Sequence, residues 1–137
     1  MNADSTPSRG LHFALWGVQL LLGLMFTGAG LWKASTPLAE LATTLPWVTE
    51  VPEALVRFIG VSELAGGLGM ILPSALRIQP RLTGWAGVGL LVVMVLAALH
   101  HGSRGEFGAL PINAVLGALS AFVAWGRLSA APIAPRA

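Results

Sequence analysis

Four stretches of the chain, about residues 11–33, 53–73, 82–100 and 109–127, are apolar almost throughout. Each is close to the ~20 residues that a helix needs to cross a bilayer. Their polar and small residues are not scattered. In the first stretch Gln19, Gly23, Thr27, Gly30 and Lys33 recur at steps of four and three, which places them on one helical face. In the second, Gly60, Glu63, Gly67 and Met70 share a face, and in the fourth Asn113, Gly117, Ser120 and Ala124 do so. Small and polar faces let membrane helices approach one another, while the remaining Leu, Val, Phe and Met suit lipid. The pattern predicts an all-α fold, an integral membrane four-helix bundle.

The segments between the spans carry their own signals. Residues 1–10 form a polar, turn-rich tail. A signal peptide is disfavoured because the apolar run from Leu11 to Trp32 has the length of a full span. Thr36-Pro37 reads as a helix start, Leu38, Leu41 and Leu45 follow at helical spacing, and Pro46 stops the run. This predicts a short interfacial helix between spans one and two, lying apolar side down with Trp47 as an anchor. Pro73 and Pro80 bracket the next connection, and His101–Gly108 makes a polar turn. Residues 128–137, rich in Ala and Pro, are expected to be disordered. Residues 11–127 thus form the membrane domain between two tails.

Composition agrees. Of 137 residues, 55% are hydrophobic and 10% charged, with a mean hydropathy of +0.75. Soluble domains carry about 25% charged residues, so lipid is the solvent. The net charge of +2 comes from basic residues scattered singly, without the patch that nucleic-acid binding needs. There is no cysteine, which removes disulfides, thiolate ligands and thiol redox chemistry. Arg9, Arg77, Arg81, Arg127 and Arg136 fall on one side of the four spans, and Lys33, Arg57 and Arg104 on the other. The excess places both termini in the cytoplasm. Trp16, Trp85 and Trp125 then lie near the inner interface, and Trp32 and Trp47 near the outer one.

The candidate chemistry starts at Glu63, a carboxylate inside a span, where a charge costs ~2.5–3.5 kcal/mol on insertion scales. It lies about 9 Å below Arg57 at 1.5 Å per residue. Lys33 ends span one, His100 ends span three and Asn113 opens span four, so each helix brings one polar residue to the outer half. Two readings stand. Interhelical hydrogen bonds and ion pairs hold the bundle together, or the residues line a polar pocket. In the second reading Glu63 and His100 handle protons, and Lys33, Asn113, Gln19 and Thr27 bind a ligand. Metal is not expected: adjacent His100 and His101 point about 100° apart on a helix, and no HxxxH or HExxH spacing occurs. No CxxCH haem motif is present, and Ser62, though next to Glu63, points elsewhere.

The segments GLWK at Gly30–Lys33, RFIGVSELAGGLGMILP at Arg57–Pro73, AALHH at Ala97–His101, Gly105-Glu106, and PIN at Pro111–Asn113 resemble the DoxX-like family of small four-helix membrane proteins. The resemblance spans roughly residues 14–127 and is most specific in the second segment. It implies a four-helix bundle of a bacterial-type inner membrane. It also implies association with quinone-linked oxidoreductase systems, among them the membrane subunit of a thiosulfate:quinone oxidoreductase, or an accessory role. Lys33, Glu63, His100 and Asn113 match its polar positions. The expected ligand is a lipophilic small molecule, a quinone by preference. With no redox motif in this chain, a partner subunit would carry the electrons. The alternatives are a cofactor-free acid–base enzyme acting on a lipophilic substrate (an isomerase or epoxide-opening enzyme) and a non-catalytic assembly or scaffold protein. The expected partners are the bilayer and either another subunit or a second copy of the chain.

Overall fold

The computed structural model of the chain describes residues 7–137. The Ser8 hydroxyl accepts from the Leu11 amide at 3.1 Å and caps α1, Arg9–Ser35. Pro37 ends that run and opens α2, the single turn Leu38–Leu41. A 3-10 turn at Pro46–Thr49 follows. Pro52 then precedes α3, Glu53–Leu76, and Pro80 precedes α4, Arg81–Ser103. A second 3-10 turn, Phe107–Ala109, leads to α5, Leu110–Trp125, with Pro111 in its first turn. Every helix after α1 thus opens on or beside a proline, whose fixed φ and missing N–H suit a helix start. One π-helical turn, Gly126–Ala130, prolongs α5.

Four of these helical segments are long and apolar enough to cross a membrane. The first three run two or three residues beyond the expected limits at their C-terminal ends. Their polar ends, Ser35 and Ser103 among them, continue the backbone ladder before the chain turns.

α1 packs along α3, α3 against α4 and α4 against α5; a lighter contact of α5 with α1 closes the bundle. The α1–α3 seam is the closest. A Cβ placed on Gly30 would lie 2.6 Å from the Gly60 carbonyl oxygen, and one on Gly60 would lie 2.7 Å from the Ala34 amide nitrogen. No larger residue fits either position without the backbones parting. Leu22, Phe26, Met70, Leu90, Met94 and Val123 fill the core. Phe13, Leu24, Phe58, Leu96 and Leu99 are exposed on the outside. That surface is the apolar face a bilayer would cover.

The α1–α3 connection departs from the expected surface helix. Leu41 and Val48 are fully buried against Val56, with Trp32, Leu38 and Leu45 around them. The leucine stripe therefore turns inward, over the end of the α1–α3 pair, rather than down into lipid. Burying one Val or Leu from water is worth about 1.5–3 kcal/mol, which the open loop would forgo. The C-terminal segment is also docked. Ala131 is buried, Arg77 Nε donates to the Ala134 carbonyl at 2.9 Å, and the Arg136 amide donates to the Arg77 carbonyl at 3.0 Å.

The seam makes a direct prediction. Gly30→Val should destabilise the bundle by roughly 1–3 kcal/mol, the usual penalty of overpacking. Gly28→Val should be close to neutral, because nothing lies within 4 Å of a Cβ there. Thermal unfolding of the two variants in the same detergent checks the difference.

Candidate functional site

The last turn of α1 brings Lys33 to Glu63 on α3. Nζ lies 2.6 Å from Oε2, with the side chains 12% and 6% exposed. The Gly30–Gly60 approach, one turn away on each helix, sets this distance. Arg57 does not compete for Glu63. Its guanidinium donates to the Lys33 carbonyl at 2.7 Å and the Thr36 carbonyl at 2.6 Å. These are orphan acceptors at the end of α1, where a cation is favoured. Arg57 also pairs with Glu53 one turn before it, at 2.8 Å. Thr27 lies in the same seam, its backbone amide and hydroxyl beside Gly67. It is about 9 Å along α1 from Lys33 at 1.5 Å per residue.

His100 occupies a different place. It lines a cleft of about 290 Å³ between α3 and α4, beneath Trp47 and Val51 of the connection. Phe58, Ile59, Ser62 and Leu96 form much of its wall. Phe58 is 67% and Leu96 60% exposed, so the cleft opens sideways from the bundle. His100 Nε2 is buried and has no hydrogen-bond partner among the described residues. Its ring meets the Trp47 ring edge-on at 6.3 Å. Glu63 does not line the cleft; its neighbour Ser62 does, because successive helical residues point about 100° apart.

The other candidates separate further. Asn113 is buried, and its Nδ2 has no hydrogen-bond partner among the described residues. It lies one turn before Gly117, which faces Met94 and Leu91 of α4. No hydrogen bond joins it to His100 or Glu63. Gln19 is fourteen residues from Lys33, about 21 Å along α1. It donates to the Met70 carbonyl at 2.8 Å and accepts from Arg127 Nε at 2.5 Å. Of the six candidates, the structure pairs only Lys33 with Glu63.

Two groups escaped the sequence reading. Arg127 is 1% exposed, with Gln19, His12 and Trp16 around it. The signal was present. The stripe Asn113, Gly117, Ser120, Ala124 continues three residues on to Arg127, and the α1 stripe extends back from Gln19 through Trp16 to His12. The second is a clasp between loops. His101 Nδ1 lies 2.5 Å from Glu106 Oε2. Arg104 bridges Glu106, at 3.1 Å, and Glu50. The hydrogen bond from His101, then that from Arg104, holds the Glu106 carboxyl below its ordinary value, and Glu106 in turn raises the Arg104 guanidinium.

Breaking one side of the Lys33–Glu63 pair should be worse than removing both. Glu63→Gln leaves an uncompensated buried ammonium and is expected to destabilise by about 3–5 kcal/mol. The double variant K33M/E63L should recover most of that loss, read as unfolding midpoints in detergent. The clasp has a pH signature. Because the folded Glu106 carboxyl titrates below its unfolded value of 4.5, its contribution is complete above that pH and is lost as pH falls through the lower folded value. Measured against the intrinsic rate at each pH, amides of residues 101–109 should lose protection from hydrogen exchange as pH falls below 4.5, and E106Q should be poorly protected at every pH.

No curated protein and no solved structure matches the chain. The DoxX-like family matches residues 17–123. These residues take in the Lys33–Glu63 pair, the cleft with His100, and Asn113. With four helices able to span a membrane and most of its length matched, the chain belongs to the DoxX-like family.

Proposed function

We propose that the chain binds a lipophilic ligand, a quinone by preference, in the α3–α4 cleft, as the membrane component of an oxidoreductase system. One observation carries this reading: His100, whose buried Nε2 has no hydrogen-bond partner among the described residues, lines an apolar cleft that opens sideways from the bundle. Ligand sites are typically apolar with a few placed polar groups, and an unpaired buried polar atom is worth about 1–3 kcal/mol when a ligand satisfies it. His100 Nε2 would donate to a ligand carbonyl oxygen, Ser62 would offer a hydroxyl, and Trp47 and Phe58 would flank the ring. The quinone-linked systems implied by the family resemblance agree with this chemistry. Without cysteine, the chain would supply the lipid-side pocket and a partner subunit the electrons. The clustering of Arg9, Arg77, Arg81, Arg127 and Arg136 at one end of the bundle supports cytoplasmic termini; in this reading the cleft belongs to the outer half of a bacterial-type inner membrane.

The acid–base alternative needs Glu63 and His100 on one substrate. Their placement on separate seams favours a holding role for Glu63. By keeping α1 against α3, the Lys33–Glu63 pair fixes the wall on which Ser62 and Phe58 stand.

Trp47 provides the readout. A short-chain quinone titrated into purified protein should quench tryptophan emission saturably, and W47F should lose the saturable part. H100L should weaken binding roughly tenfold, the equivalent of one hydrogen bond at ~1.4 kcal/mol. Saturable quenching that survives both changes would place the ligand elsewhere.

A further inference from the structure

The opposite end of the bundle holds a second site. Arg127 is a fully buried guanidinium whose described partners include no carboxylate. Nε donates to Gln19 Oε1 at 2.5 Å. One terminal nitrogen donates to the Ala131 carbonyl at 3.1 Å and lies 3.4 Å from His12 Nδ1. The other terminal nitrogen is buried and makes no hydrogen bond among the described residues. The described side-chain carboxylates, Glu40, Glu50, Glu53, Glu63 and Glu106, all belong to the Lys33 half of the molecule. A buried charge without a counterion is among the most expensive arrangements a fold can keep.

Arg127 does not itself line the nearby pocket of about 460 Å³, but it shares two neighbours with it. Two of the pocket's walls, His12 and Trp16, are Arg127's own neighbours; the Trp16 ring centroid is 5.6 Å from its central carbon. Arg77 stands at the rim, and Pro132–Ala134 of the docked C-terminal segment closes one side. Arg77 is anchored there by the Ala134 carbonyl. The exposed Trp85 and Trp125 lie toward the same end of the bundle, the level at which aromatic belts meet headgroups.

We propose that this pocket binds the phosphate oxyanion of an anionic phospholipid headgroup. Planar guanidinium forks match phosphate oxygens in geometry as well as charge. Arg77 meets the headgroup from the rim, and Arg127 supplies a buried positive field nearby. Arg9, Arg81 and Arg136 add attraction toward an anionic leaflet. The site is independent of the α3–α4 cleft.

The test uses the full chain in a neutral detergent, with bound lipid counted by native mass spectrometry and stability read by thermal unfolding. Phosphatidylglycerol should bind at least tenfold more tightly than phosphatidylcholine and raise the midpoint by about 4 °C or more, as a ligand bound only to the folded state does. R127Q should lose both effects. If that variant does not fold, R77Q decides the matter: it lies on the exposed rim, outside the helix seams, and should cut the preference at least severalfold. Equal protection by inorganic phosphate without lipid overturns the lipid assignment. No preference between the two lipids, or a preference unchanged in R77Q, overturns the site.

Discussion

The ion pair between Lys33 and Glu63 is the contact on which the rest of the bundle turns. A carboxylate and an ammonium, each almost wholly buried, leave little freedom in how α1 and α3 sit. The pair closes at 2.6 Å only because Gly30 and Gly60 let the two backbones meet one turn away. It fixes both the depth and the rotation of α3. With Glu63 turned to α1, Ser62, Ile59 and Phe58 are turned to α4, and these are residues that line the cleft. Arg57 then caps the α1 carbonyls from the same helix. One face of α3 is thus occupied by holding α1, and the adjacent face is left to shape a cavity.

Much of this fold could be read along the chain. The four apolar runs are the four long helices, and Gly30, Gly60, Gly67 and Gly117, picked out by spacing, all stand at helix contacts. Depth was legible too, because residues on a straight helix advance 1.5 Å each; Lys33 and Glu63 do meet. What spacing does not encode is azimuth relative to neighbours. Periodicity states which residues share a face, but not which helix that face meets. Lys33 and Glu63 share the α1–α3 seam, His100 faces the α3–α4 cleft, and Asn113 lies one turn from the Gly117 contact with α4. Similar height does not make a common site. The stripe Leu38, Leu41, Leu45 shows the same ambiguity: an amphipathic turn reads alike whether its partner is lipid or protein, and here Val48 and Val56 are the partners.

Arg127 was hidden for a different reason. Near a span end, an arginine ordinarily serves topology or snorkels, and nothing local marks it as buried. Its burial depends on His12 and Gln19, more than a hundred positions earlier in the chain. Only closure of α5 against α1 creates that environment. The clue lay in continuing both stripes to their ends rather than stopping at the last small residue.

The two ends of the bundle solve their electrostatics in opposite ways. At the Lys33 end each cation has a carboxylate: Lys33 with Glu63, Arg57 with Glu53, and Arg104 with Glu50 and Glu106. That end is self-neutralised, and the cleft beside it is apolar apart from histidine and one hydroxyl. Such a surface has little to offer a charged ligand and suits a neutral, lipophilic one. At the other end five arginines form no ion pair with a side-chain carboxylate among the described residues, and one of them is buried. Among the described residues its positive charge has no carboxylate counterpart. The sorting of charge between the ends therefore gives the two proposed sites different chemistries: a surface suited to a neutral ring where the described charges are paired, and one suited to an anion where they are not.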